Sequence, residues 1–164
     1  MPVIHLKVFS LFLVMIASLV IAQPLELSGS INGVHDPVLI EENGRYYLFS
    51  TGPGVPIRCS DDMLTWKLCR AVFFGLPDWI KKEVPAVGDL WAPDISYYNG
   101  KYQVFYSAST FGQNTSAIGL ATNITLDFES PDYAWKDEGL VIKSKPGNST
   151  PGSDNSTLDK INLN

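Results

Sequence analysis

The strongest constraint on the fold is an internal repeat. The stretch DPVLIEENGRYYLFSTG, which starts at Asp36, and the stretch DISYYNGKYQVFYSAST, which starts at Asp94, share one pattern. Each has an aspartate, a short apolar run, an Asn-Gly pair, a basic residue and an aromatic-rich run that ends in small hydroxyl residues. Asn-Gly between β-rich runs predicts a two-residue hairpin, because both turn positions require a positive φ. The repeat therefore predicts two β-hairpins built to one plan.

Further strands extend each hairpin. PIRCS from Pro56 and AIGLATN from Ala117 are typical of a third strand, and Trp-Lys pairs at residues 66–67 and 135–136 mark the start of a fourth. Repeated four-stranded antiparallel units indicate an all-β propeller, whose blades pack on neighbours to bury both faces. Propellers have about four to eight blades, and this chain contains two such units. A small β-sandwich is the alternative, although sandwich strands do not repeat as units.

The two ends of the chain differ in composition from its middle. Residues 1–22 contain Lys7, an apolar run and small residues, which predicts a secretory signal peptide cleaved near Ala22. A membrane anchor is the alternative, but the run is short for a spanning helix and no basic flank follows it. Residues 144–164 are rich in Gly, Pro, Ser, Asn and Asp, which predicts a loop or a disordered tail. The predicted partial propeller is then residues 23–143.

Secretion bears on two further features. Cys59 and Cys69 either form a disulfide between neighbouring strands or remain buried free thiols, and two cysteines alone do not decide between these states. Asn-X-Ser/Thr triplets are N-glycosylation acceptors if the source is eukaryotic, and they occur at Asn114, Asn123, Asn148 and Asn155. These triplets predict a glycoprotein.

Composition excludes several classes of function. The net charge is -5 and the pI is about 4.9, and no Lys/Arg cluster offers a surface for nucleic acid. After residue 22 no segment of the sequence is apolar enough to span a bilayer, so no membrane partner is expected once the signal peptide is cleaved. His35 is the only histidine after that point, which excludes a multi-histidine metal site. The sequence also has no phosphate-binding glycine loop, nucleophile elbow or zinc spacing.

Two carboxylates and two aromatic residues are the candidates for chemistry. Asp36 and Asp94 each open the first strand of a repeat, so Asp94 is interpreted as the counterpart of Asp36 at one mouth of a central channel. Paired carboxylates suit glycoside hydrolysis, in which one activates water and the other protonates the leaving oxygen. The alternative is that each aspartate caps a turn. Trp91 and Phe111 suit stacking against sugar rings, with core packing as the alternative.

The stretches HDPVLIEENGRYYLFSTG, LWAPDISYYNGKYQVFYSAST and STFGQNTSAIGLATN resemble the N-terminal part of glycoside hydrolase family 43, and within it the secreted endo-1,5-α-L-arabinanases. The resemblance runs from Ser28 to Lys143 and implies a five-bladed propeller and an inverting hydrolase that cleaves the α-1,5 bonds of plant cell-wall arabinan. It implies that Asp36 is the general base. The substrate-binding residues that it implies are His35, Trp91, Asp94, Phe111 and Asn114.

Other parts of the family pattern have no counterpart in this sequence. The resemblance implies that a third blade supplies an aspartate that tunes the acid, that a later blade supplies the glutamate acid, and that later blades supply a histidine associated with a channel metal. We therefore expect a truncated arabinanase (a fragment, a shortened gene model or an alternative transcript) with no cofactor in this chain and little turnover of its own. A non-catalytic carbohydrate-binding fragment and a secreted interaction protein are the alternatives. Exo cleavage, β-xylosidase and α-L-arabinofuranosidase activities stay open.

Overall fold

The computed structural model describes residues 24–112 and 115–144, which form two β-sheets and one short helix. The elements in chain order are β1 Ser28–Gly29, β2 Val38–Glu42, β3 Arg45–Phe49, β4 Pro56–Ser60, β5 Thr65–Ala71, α1 Asp78–Glu83, β6 Leu90–Tyr98, β7 Lys101–Ser109, β8 Ser116–Asn123 and β9 Lys136–Lys143. The first sheet has the order β1-β5-β4-β3-β2 and the second has the order β6-β7-β8-β9.

Both predicted hairpins are confirmed. Asn43 and Gly44 have φ of 53° and 83°, and Asn99 and Gly100 have φ of 49° and 75°. Positive φ at both turn residues matches the right-handed twist of the flanking strands. Each turn therefore fixes the register of its hairpin, with Glu42–Arg45 and Tyr98–Lys101 as the first pairs. Two units of four antiparallel strands follow, as the repeat predicts.

Two elements depart from the predicted pattern. Strand β1 adds a fifth strand to the first sheet by pairing in parallel with β5, where Gly29 lies opposite Trp66. Gly29 has a φ of 79°, and a Cβ there would collide with the Trp66 carbonyl, so this close approach needs glycine. Helix α1 lies in the connection between the two sheets. Ile80 in this helix and Val84 just after it are both buried.

The core lies between the two sheets, which pack as neighbouring blades. Phe49 of β3 is fully buried, and its ring meets the ring of Trp135 edge-on at 5.9 Å between centroids. Phe73 and Tyr106 make a similar edge contact at 5.2 Å. Such aromatic pairs add about 0.5–1.5 kcal/mol each beyond the area that they bury. The second sheet also has exposed apolar side chains, including Leu140 and Val141 of β9, which are 40% and 50% exposed.

A carboxylate links the two sheets at the end where the hairpin turns lie. Glu42 at the end of β2 accepts hydrogen bonds from the Leu126 amide at 2.7 Å and the Thr125 hydroxyl at 3.2 Å. Both residues belong to the connection between β8 and β9. Burial and the nearby Glu42 carboxylate raise the pKa of Tyr102, since both disfavour a phenolate at this position.

The disulfide alternative is confirmed by the structure. Cys59 of β4 and Cys69 of β5 are joined, with their Cα atoms 6.0 Å apart. The bridge ties two adjacent antiparallel strands of the first sheet. It closes a short loop, which limits the freedom of the unfolded chain.

One predicted glycosylation site conflicts with the structure. Asn123 is only 2% exposed, and its side-chain oxygen accepts hydrogen bonds from the backbone amides of Ile124 and Ala134. The amide nitrogen that would carry a glycan is itself buried. A glycan at Asn123 is therefore incompatible with this fold.

Several predicted features lie outside the described residues. They are the signal peptide, the acceptors Asn114, Asn148 and Asn155, and all of the predicted tail after Ser144. Within the part that the structure describes, no helix is long and apolar enough to cross a membrane.

Candidate active site

Asp36 stands just before β2, which lies at one edge of the first sheet and is the strand that we call the inner strand of the blade. Its φ is 48°, a left-handed conformation that is uncommon for a residue other than glycine. Its side chain is exposed, and its Oδ2 accepts a hydrogen bond of 2.7 Å from the Thr51 hydroxyl. Strained backbone of this kind costs about 1–3 kcal/mol and clusters at functional sites. The Asp36 carboxylate is therefore oriented by a hydrogen bond and accessible to solvent.

The register of the two hairpins corrects the pairing of Asp36 with Asp94. When Asn43-Gly44 is aligned with Asn99-Gly100, Pro37 falls on Pro93 and Asp36 falls on Ala92. Ala92 has a φ of 42°, close to the 48° of Asp36, so the two residues share one backbone conformation. The interpretation of Asp94 as the counterpart of Asp36 is therefore wrong. Asp94 instead corresponds to Val38, and it is exposed on β6 opposite Phe105.

A β-bulge accompanies the second of these positive-φ residues. Trp91 pairs with Ser107 and Asp94 pairs with Phe105, so β6 has one residue more than β7 between these pairs. Bulges of this kind are common next to active sites, where they redirect side chains. Here the extra residue lies between Trp91 and Asp94, where Ala92 has its positive φ.

The two sheets meet directly at this end. Gly52, just after β3, and Leu90, at the start of β6, form a bridge of two backbone hydrogen bonds of 3.0 and 3.2 Å. Next to it, the Ala92 amide donates to the Thr51 hydroxyl at 2.9 Å. The Asp36 carboxylate is therefore one hydroxyl group away from the backbone of the second blade.

Two aromatic residues lie at the same end of the second sheet. Trp91 is half-buried in β6, whereas Phe111 is 91% exposed in the loop after β7. Their ring centroids are 6.4 Å apart with planes at 65°. The Thr110 hydroxyl donates to the Pro85 carbonyl at 2.8 Å and ties this loop to the connection before β6. Core packing is thus excluded for Phe111, whose ring contacts Trp91 at the surface.

The other two residues implied by the resemblance are less informative. His35 is exposed, and its carbonyl accepts a hydrogen bond of 3.0 Å from the Thr51 amide. Asn114 lies outside the described residues. The structure therefore brings His35 and Asp36 together at the start of β2 and Trp91 and Phe111 together on the second sheet.

Thr51 is the residue that the sequence analysis missed. It joins Asp36, His35 and Ala92 through three hydrogen bonds. A signal was available, because Asp36 and Thr51 are equally far from the Asn43-Gly44 turn. A two-residue hairpin turn places such positions opposite each other.

A cavity of about 280 Å³ lies at the opposite end of the first sheet, where β4 ends and β5 begins. Its walls include Arg45 and Asp61, whose side chains form an ion pair of 2.8 Å. The backbone amides of Thr65 and Leu64 lower the pKa of the neighbouring Asp62 to about 2 by hydrogen bonding to its carboxylate. The carboxylate of Asp61 forms an ion pair and that of Asp62 accepts hydrogen bonds within a turn, so this cavity is not the candidate active site.

The described residues also provide no metal site. Across residues 24–112 and 115–144, no group of three or more His, Cys, Asp or Glu side chains could hold a metal ion. The channel metal that the resemblance implies therefore does not fit the side chains of this part of the chain.

Comparison with known proteins identifies the family. Residues 30–159 match the family model of glycosyl hydrolases family 43. The chain is 49% identical over 114 residues to the extracellular exo-alpha-(1->5)-L-arabinofuranosidase ArbA of Cellvibrio japonicus, covering 69% of this chain and 33% of that protein. It is 42% identical over 120 residues to the extracellular endo-alpha-(1->5)-L-arabinanase 1 of Bacillus subtilis, covering 70% of this chain and 36% of that one.

Solved structures agree with this assignment. The fold is similar to that of the Cellvibrio cellulosa alpha-L-arabinanase, with a TM-score of 0.68 and 48% identity over 71% of this chain and 37% of that chain. It is also similar to the native Bacillus subtilis arabinanase Arb43A, with a TM-score of 0.64 and 42% identity over 70% of this chain and 40% of that one. The chain thus spans well under half the length of these relatives. It belongs to glycosyl hydrolases family 43 and forms two blades of that family's β-propeller.

Proposed function

We propose that this chain is the part of an arabinan-degrading glycosidase that supplies the water-activating carboxylate. The observation that carries the proposal is Asp36, an exposed residue with positive φ whose carboxylate accepts a hydrogen bond from Thr51, beside the junction of two blades. The names of the relatives support the substrate class, since they act on α-1,5-linked arabinose polymers. A structure of the Cellvibrio cellulosa alpha-L-arabinanase complexed with arabinohexaose supports it further.

The proposed reaction is hydrolysis of an α-1,5-arabinofuranosidic bond with inversion. Asp36 removes a proton from a water molecule as the water oxygen bonds to the anomeric carbon. The bond from that carbon to the leaving oxygen breaks, and the leaving oxygen takes a proton from a carboxylic acid on another blade. Inversion needs roughly 6.5–9.5 Å between the two carboxyl groups to admit the water. Asp36 is proposed to be the base of this pair, and the acid is not assigned to any described residue.

The proposed sugar contacts follow from exposure. Phe111 and Trp91 offer ring faces and edges at the surface, which suit the apolar faces of arabinose units. His35 and Asp94, which are exposed, and Asn114 are proposed as polar contacts to sugar hydroxyl groups, because a few polar side chains fix the orientation of a bound ligand. The relatives include both endo- and exo-acting enzymes, so the proposal names the bond and not the position of cleavage.

We also propose that the protein is secreted. Three observations support this location: the predicted signal peptide, the Cys59–Cys69 disulfide and the extracellular relatives. Structural disulfides persist mainly in oxidising compartments.

A chimera tests the role of Asp36. Residues 24–144 would replace the matched segment of the Bacillus subtilis relative, so that the remaining blades are present. Asp36→Asn should lower the hydrolysis of linear arabinan by about 10²–10⁴-fold, the usual contribution of general acid–base catalysis. Asp132→Asn, an exposed residue at the opposite end of the second sheet, is the matched control and should leave the rate unchanged. Equal rates for the two variants would exclude Asp36 as the base.

The second candidate is carbohydrate binding without catalysis. The observation that favours it is that both aromatic residues of the candidate site are described here, whereas the acid is not. Purified residues 23–164 should bind arabinohexaose in a calorimetric titration but release little sugar from linear arabinan. Trp91→Ala should weaken that binding, with Trp66→Phe in the first sheet as an aromatic control away from the site. Binding that does not change in Trp91→Ala would contradict both sugar proposals.

A further inference from the structure

We propose that Thr51 is a positioning residue. Its hydroxyl group donates a hydrogen bond to one oxygen of the Asp36 carboxylate and leaves the other oxygen to accept a proton from water. This inference rests on the proposed function, because it assigns a task to Asp36 as the base. It adds Thr51, a residue just after β3, whose hydroxyl group orients that carboxylate.

The direction of the two hydrogen bonds at Thr51 is fixed by chemistry. The Ala92 amide can only donate, so the Thr51 oxygen accepts at 2.9 Å. A threonine hydroxyl has one proton, and an ionised carboxylate has only acceptors. The Thr51 proton therefore points to Asp36 Oδ2, 2.7 Å away. A hydroxyl that donates to a charged oxygen makes one of the stronger and shorter hydrogen bonds in proteins.

Thr51 itself is held by the junction of the blades. Its amide donates to the His35 carbonyl at 3.0 Å, immediately before Asp36 in the chain. The next residue, Gly52, makes both backbone hydrogen bonds of the bridge to Leu90. A β-branched side chain has few rotamers available, so a fixed backbone also fixes the hydroxyl. The position of the second blade is in this way transmitted to the carboxylate of the first.

The second blade contains a natural comparison. Ser107 occupies the place of Thr51 in the repeat, and Ala92 occupies the place of Asp36. A hydroxyl residue is therefore present at the strand end of both blades, but only the first blade has a carboxylate opposite it. Ser107→Ala is the matched control for a change at Thr51.

The test measures the side-chain rotamer of Asp36 by NMR in the full chain labelled with ¹³C and ¹⁵N. Three-bond couplings from the backbone nitrogen and carbonyl carbon to Cγ report χ1. The unsubstituted chain, Thr51→Ser and Ser107→Ala should give the couplings of one rotamer. Thr51→Val, which keeps the shape but lacks the hydroxyl, should lose them and give averaged values. Amide exchange at Ala92 should become faster in Thr51→Val and return to its original rate in Thr51→Ser.

A catalytic readout separates this inference from the proposed function. In the chimera, Thr51→Val should lower kcat with KM unchanged, because the proposal has Thr51 act through Asp36 and not on the sugar, and Thr51→Ser should restore kcat. Single-rotamer couplings in Thr51→Val would overturn the positioning role even if Asp36→Asn abolishes hydrolysis. Conversely, if Asp36→Asn leaves hydrolysis unchanged, the proposed function fails, whereas the rotamer measurement still decides whether Thr51 orients the carboxylate.

Discussion

Replacing Gly119 with alanine should loosen the attachment of helix α1 to the second sheet. A Cβ at Gly119 would lie 2.5 Å from Cζ of Tyr106 and 2.6 Å from Cζ2 of Trp79, closer than carbon atoms approach without a shift. Neither ring moves freely, because the Tyr106 hydroxyl and the Trp79 indole N–H both donate to Asp137 Oδ1, at 3.1 and 3.4 Å. Relief of the clash therefore requires the loss of at least one of these bonds.

The cost can be worked out from three contributions. Overpacking in a filled core costs about 1–3 kcal/mol, and a hydrogen bond to a charged acceptor contributes about 1.5–3 kcal/mol. Replacing a strand glycine with alanine returns about 0.5–1 kcal/mol because the unfolded chain is less flexible. The unfolding free energy should then fall by about 1.5–5.5 kcal/mol, a large share of the ~5–15 kcal/mol that stabilises a typical domain.

Urea unfolding followed by circular dichroism measures this loss. Gly75→Ala is the control, since no atom lies within 4 Å of a Cβ at Gly75. Trp79→Leu removes one of the two clashing rings, so Gly119→Ala should cost less in a Trp79→Leu background than alone. A loss in Gly119→Ala no larger than that in Gly75→Ala, or strict additivity with Trp79→Leu, would refute the packing argument.

Two further predictions concern pH and modification. Burial raises the pKa of Tyr47 from 10.0 to about 12. The stability that this provides is complete below pH 10 and declines toward pH 12, so the melting temperature should fall more steeply in the original chain than in Tyr47→Phe; parallel curves would contradict this. The buried Asn123 should carry no glycan when the folded chain is secreted from a eukaryotic host, as glycopeptide mass spectrometry can check. A glycan on Asn123 in a correctly folded chain would contradict the buried position of this side chain.

The hairpins were predictable because their signal is local. Asn43-Gly44 and Asn99-Gly100 specify the turn, and the turn specifies the register of the strands on both sides. The error over Asp94 arose further from the turn. The sequence pattern aligns Asp94 with Asp36, whereas the register places Ala92 there. The bulge in β6 depends on the pairing of two strands, and a single strand sequence does not reveal it.

Helix α1 and strand β1 were not predictable for a different reason. The helix has six residues, DWIKKE, which is too short to be stable through propensity alone. It forms because Ile80 is buried and Trp79 packs against Tyr106. Strand β1 has two residues and exists through its pairing with β5. Tertiary contacts distant in sequence define both elements.

The candidate site likewise combines residues that the sequence predicts with a residue that it does not. Asp36, Trp91 and Phe111 could be chosen from the sequence because an aspartate before an inner strand and aromatic residues near a loop suggest sugar chemistry. Thr51 carries no such chemical signal, and its importance comes from what lies on either side of its hydroxyl group. Thr51 and Asp36 are equally far from the Asn43-Gly44 turn, but the contact of Thr51 with Ala92 depends on how the blades meet.

The matching backbone of Asp36 and Ala92 has an evolutionary consequence. Both blades hold the residue before the inner-strand proline in the left-handed region, with φ of 48° and 42°. The backbone strain therefore belongs to the blade and not to the aspartate, because it is present whether the side chain is a carboxylate or a methyl group. Aspartate and alanine codons differ by one base. A blade of this kind can therefore gain or lose an acidic group just before its first strand in one mutational step, without a new loop or a change of fold.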